Sequence, residues 1–81
     1  MSKVLNRGMT RNEMLRRLEV MIEEPPDSLK ETDLLSDLPG WDSIRILKFI
    51  LEADKLCGVR VAAEDILGCE TLNDLMVLVK L

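Results

Sequence analysis

Apolar residues along this chain recur at helical spacing in several runs, separated by polar breaks that carry proline or glycine. In the first run, Met14, Leu15, Leu18, Met21 and Ile22 fall on one stripe, with Arg11, Arg16, Arg17 and Glu23 mostly off it. Thr10 followed by Glu13 has the form of a capping box, which places the helix start there. Pro25 and Pro26 are expected to end it, because proline cannot donate to the helical ladder and disfavours helical geometry in the residue before it. Met1 to Met9 shows no periodicity and contains Gly8, so it reads as a loose lead-in to a domain over 10–81.

The second run follows Pro39 and Gly40, both turn formers, and Asp42, whose carboxylate suits an N-cap. Ser43 then falls at or beside the first helical position, and the helix should continue to about Leu56 or Cys57, with Gly58 as its left-handed C-terminal residue. Ile44, Ile46, Leu47, Phe49, Ile50, Leu51, Ala53, Leu56 and Cys57 cover well over half of its circumference, leaving Arg45, Lys48, Glu52 and Lys55 a narrow strip. So wide an apolar face implies contact with several helices, with an external partner, or with both.

Between these runs, from Pro26 to Asp42, lies a long connection that Leu29, Leu34, Leu35 and Leu38 could pin over the core, with a short helical turn around Thr32 to Leu35. Trp41 is expected to cover the edge of the core, to shape a docking surface, or both. Downstream, Val59 and Val61 should point inward around Arg60. Ala62 to Leu67 reads as a short helix with Glu64 and Asp65 outward, Ile66 or Leu67 inward, and Gly68 closing it. Thr71 and Asp74 repeat the capping signal before a final stripe of Leu72, Leu75, Met76 and Val79. The expected fold is an all-α four-helix bundle with a short third helix and a long loop between helices one and two.

Composition narrows this further. Eighty-one residues make one small domain, and its apolar share of 47% against 2% aromatic suits helices packed through Leu, Ile, Val and Met better than a sheet. No apolar run is long enough for a membrane span, and no apolar segment follows the first basic residues as a signal peptide would require, so the expected location is cytoplasmic. The net charge of −4 is uneven: five bases face two acids between Met1 and Val20, read as a solvated face and tail, and the remainder is acidic, which disfavours nucleic acid. With no histidine, a Ser-His-acid triad is excluded; Cys57 and Cys69 are too few for a structural zinc site and read as reduced core residues. No metal site is expected.

What remains is a serine held in solvent where a turn becomes a helix. The amide-rich, partly positive end of a helix favours a phosphodiester placed on that hydroxyl. Here Gly40-Trp41-Asp42-Ser43-Ile44, with Asp33-Leu34-Leu35-Ser36-Asp37-Leu38 upstream, Cys57-Gly58-Val59-Arg60-Val61 downstream and the run from Thr71 to Val79, resembles the acyl carrier proteins. The resemblance extends from about Thr10 to the end of the chain.

That resemblance implies a 4′-phosphopantetheine arm on Ser43, donated by coenzyme A through a phosphopantetheinyl transferase. It further implies a monomeric, non-enzymatic carrier that holds acyl groups as thioesters and meets acyl-loading and acyl-processing enzymes of fatty acid, polyketide or related biosynthesis. Trp41, Asp42, Ile44, Arg45, Lys48 and Leu51 would form the partner surface. Phe49, Ile50, Val61, Ile66 and Met76 are candidates to line an acyl pocket, with plain core packing as the alternative. The second helix of the family is usually acidic where this chain has Arg45 and Lys48. A peptidyl or aryl carrier is a near variant. A helical interaction module without covalent modification is the alternative from another class.

Overall fold

In a computed structural model, residues 9–81 are described, and their regular elements are helical: α1 (Arg11–Ile22), α2 (Ser43–Glu52), α3 (Ala63–Leu67) and α4 (Leu72–Leu78), with a 3-10 turn at Leu35–Asp37 and a π turn at Ala53–Cys57. The expected lead-in lies outside the described residues except for Met9, which packs half-buried against the core.

The capping box of α1 forms as expected: Thr10 Oγ1 accepts from the Glu13 amide at 3.1 Å, and Glu13 Oε1 accepts from the Thr10 amide at 2.9 Å. The helix stops two residues before Pro25. Glu23 takes a left-handed conformation (φ 62°), and the Glu23 and Glu24 amides close back on the carbonyls of Val20 and Glu19 at 3.3 and 2.8 Å. Met14, Leu15, Leu18 and Ile22 are buried and Met21 is half-buried.

Glu19 is also buried, which its position beside the apolar stripe did not announce. Its carboxylate accepts from the amides of Asp27 and Leu29, each at 3.0 Å, and from Arg16 Nε and Nη2, each at 2.8 Å. Burial pushes its pKa up, but these donors outweigh burial and hold it below the ordinary glutamate value. The carboxylate thereby fixes the path of the chain leaving α1.

The long loop is pinned by backbone as well as by side chains. Leu29 and Leu35 are buried and Leu38 half-buried, but Leu34 stays 44% exposed. Leu34 instead bridges to Thr71: the Leu35 amide donates to the Glu70 carbonyl at 2.8 Å, and the Leu72 and Asn73 amides donate to the carbonyls of Asp33 and Glu31 at 3.1 and 2.9 Å. Two first-turn amides of α4 are thus satisfied by the loop, and the Thr71–Asp74 capping box adds to them. The helical turn falls at Leu35–Asp37 rather than around Thr32 to Leu35.

Helix α2 starts at Ser43 and its last turn opens into π geometry before Gly58 (φ 68°) ends it as anticipated. Its broad apolar surface divides in two. Phe49, Ala53 and Cys57 are buried and Ile46, Ile50 and Leu56 half-buried, whereas Ile44, Leu47 and Leu51 remain 58%, 60% and 69% exposed. In α3, Ile66 is the residue that turns inward and Leu67 faces out; Gly68 is not left-handed and closes the helix in ordinary helical geometry. Leu72, Leu75, Met76 and Val79 complete one continuous core with α1 and α2.

Candidate functional site

The turn before α2 is shaped by Leu38, Pro39, Gly40 and Trp41, closed by the Trp41 amide donating to the Leu38 carbonyl at 3.0 Å. Gly40 is required by a close approach: a Cβ there would overlap the Ile22 carbonyl oxygen and lie 2.9 Å from Ile22 Cβ. The end of α1 therefore packs directly on the turn that launches α2. Trp41, half-buried, packs edge-on against the Phe49 ring (centroids 6.1 Å, 72° between planes), so it closes the core edge while keeping an exposed side.

Asp42 is the N-cap, its Oδ1 accepting from the Arg45 amide at 2.9 Å. Ser43 is the first helical residue and is exposed; its hydroxyl, its amide and the amide of Ile44 make no hydrogen bond to another described residue. An oxygen free of partners, beside two free amides at a helix N-terminus, is placed to be modified by an anionic group. With Asp42 committed to the cap and no histidine in the chain, nothing among the described residues activates that hydroxyl.

Arg45 is more deeply engaged than its place on the strip suggested. Its Nε donates to the Met21 carbonyl at 3.3 Å, and its Nη atoms pair with Asp42 and Glu23 at 3.5 and 3.6 Å. A cation on a terminal carbonyl of α1 favours that helix's dipole. Arg45 thus couples the end of α1 to the start of α2, while Lys48 is exposed and without an ion pair to a described residue.

Phe49, Ile66 and Met76 are sealed within the core, and Ile50 and Val61 are half-buried at its margin. A cleft of about 920 Å³ opens elsewhere, between α1 and α2, and none of these five residues lines it. Its walls include Val20 and Leu51, which with Leu47 form an exposed apolar surface. Val20 and Leu47 were not singled out from sequence; an apolar residue off the buried stripe of α1 was the available signal for Val20. Burial pushes both cysteine thiols up, and the charges of Asp74 and Asp65 push Cys69 further, so neither is a ready nucleophile. Among the described residues, no group of three or more His, Cys, Asp or Glu is placed to hold a metal ion, and no helix is long and apolar enough to cross a membrane.

An exposed acceptor serine at the head of a helix in a small all-α domain defines a carrier of a covalent arm. A family model for the phosphopantetheine attachment site matches residues 12–78, and the chain belongs to that family. Comparison with curated proteins and with solved structures returns no match. Its cofactor is accordingly covalent 4′-phosphopantetheine, and carrier domains of the family work with modifying and acyl-handling enzymes.

Proposed function

We propose that Ser43 carries the arm and that the protein shuttles acyl intermediates among the enzymes of a fatty acid, polyketide or related pathway, itself performing no catalysis. The observation that carries this reading is the exposed, unpartnered Ser43 hydroxyl at the amide-rich start of α2, inside the matched family region. The arm, when attached, supplies the thiol that holds the acyl group as a thioester. The chain supplies everything that positions it. Asp42 holds the first turn of α2, the free amides of Ser43 and Ile44 face the phosphodiester, and the Gly40 contact with Ile22 fixes the helix against α1. The base that takes the Ser43 proton belongs to the phosphopantetheinyl transferase, which uses coenzyme A as donor.

Trp41, Asp42, Ile44, Lys48 and Leu51 present the partner surface in this reading, with Arg45 orienting α2 beneath it. Intact mass after incubation with transferase and coenzyme A tests the assignment. One phosphopantetheine on the wild type and none on Ser43→Ala, with both folded by circular dichroism, is the expected result. No gain on the wild type, or an equal gain on the variant, rejects it. The exposed Ile44, Leu47 and Leu51 also favour a second reading, an interaction module that needs no modification. Partner binding that is identical in unmodified protein and in Ser43→Ala, without any loading, would select it.

A further inference from the structure

The cleft between α1 and α2 combines two properties that the rest of the molecule does not explain. It leaves large apolar groups in water: Val20 is 81% and Leu51 69% exposed on its walls, and Leu47 and Ile44 continue the same strip toward Ser43. Ile44, Leu47 and Leu51 fall within about 60° of one another on α2 at 3.6 residues per turn. They form a ridge that the core cannot use. Patches of this kind mark binding surfaces.

The charges beside that ridge are basic, on a protein whose acids outnumber its bases by 15 to 11. Among the acids of the cleft, Glu52 is taken by Arg17 at 3.2 Å and Glu23 by Arg45 at 3.6 Å. Arg16 is likewise turned toward Glu19 and Asp27. Lys48 and Lys55 are left exposed without an ion pair to a described residue, against the single unpaired carboxylate of Asp54. Lys48 lies five residues, about 7.5 Å along the axis, beyond Ser43. A surface seated here would therefore lie beside whatever Ser43 carries.

We propose that this cleft docks an apolar ridge rimmed with carboxylates on the enzymes that meet this carrier. The inference rests on the carrier reading for the identity of the partner and on Val20, Leu51, Lys48 and Lys55 for its chemistry. A second copy does not satisfy it by two-fold pairing, since that would set Lys48 and Lys55 of one chain against the same lysines of the other. Rim charges of this kind act mainly on encounter rate and salt dependence.

The test titrates the full-length protein, labelled for amide NMR, with two synthetic amphipathic helical peptides that share one leucine face, flanked by glutamates in one and by lysines in the other. The glutamate peptide should shift the amides of Val20, Leu47, Lys48 and Leu51, should weaken on raising salt from about 50 to 500 mM, and should lose about tenfold in affinity in the double variant K48E/K55E, with the lysine peptide inert. Equal binding of the two peptides, no shift from either at millimolar concentration, or affinity unchanged in K48E/K55E overturns the proposal. So do shifts of the same amides with protein concentration alone, which would make the cleft a contact between copies. Mass gain on wild-type Ser43 is read separately, so that failure of the carrier reading and failure of the docking reading remain distinct.

Discussion

Gly40 and Glu19 are the two residues whose identity decides how α1 meets the loop and the second helix. A methyl group at position 40 would overlap the Ile22 carbonyl, and backbone on both sides leaves little to give, so Gly40→Ala is expected to cost about 1–3 kcal/mol by overpacking. A lowered urea midpoint with an unchanged m-value checks it. Glu19→Gln keeps the shape of the side chain but leaves the half-buried Arg16 guanidinium without its bidentate partner, and should cost about 2–3 kcal/mol at pH 7. Because the folded pKa of Glu19 is depressed, the stability due to its ionisation is fully present above the unfolded value of about 4.3 and is lost as pH falls through the lower folded value. The gap between wild type and E19Q should therefore be widest near neutrality and narrow below about pH 4. A gap that does not change with pH would show that the ionised form is not what matters. Asp74, lowered by the amides of Glu70 and then Thr71, adds a slope of the same sign to both proteins and cancels from the difference.

Helix ends separate the features legible in the sequence from those that were not. Thr10–Glu13, Asp42, Gly58 and Thr71–Asp74 act within one turn of themselves, and each terminates or starts its helix where the sequence places it. The end of α1 did not follow its prolines, because the nested bonds of Glu23 and Glu24 close the helix first. Glu23 is a costly residue for a left-handed position, and its 3.6 Å pair with Arg45 is solvent-exposed and weak. Glu23→Gly should accordingly stabilise the protein by about 0.5–1 kcal/mol, seen as a rise of a few degrees in Tm. The exposed Ser43 was legible for the same reason as the caps: a local turn and a local N-cap put it there. The burial of Glu19, the outward Leu34 and the tie from Arg45 to Met21 were not, since each depends on a backbone group brought from another element. The broad apolar face of α2 announced that something besides the core would use it, but only tertiary packing could say which half stays outside.

Across the whole molecule, the bases of α1 prove to be ties rather than the solvated face their charge suggested. Arg11 reaches three separate parts of the chain: Nε donates to the Leu81 carbonyl at 2.8 Å, and Nη1 donates to Glu31 in the long loop at 2.7 Å and to Asn73 in α4 at 2.6 Å. Arg17 similarly joins α1 to Glu52 of α2. These long-range bonds hold the loop and α4 against the start of α1, at the opposite end of that helix from the Gly40 contact. Arg11 is only partly exposed, so its hydrogen bonds are less screened than those of an open surface pair. Arg11→Met retains much of the aliphatic stem and removes the donors, and should cost about 1–2 kcal/mol. The loss should appear as faster amide exchange at Asn73 and Leu72, whose amides depend on the loop carbonyls of Glu31 and Asp33, while Arg45 and Ile46 at the head of α2 keep their protection. Equal loss of protection at both places would mean that Arg11 stabilises the fold as a unit. Protection lost only near α4 would mean that the loop can release without disturbing the platform on which Ser43 stands.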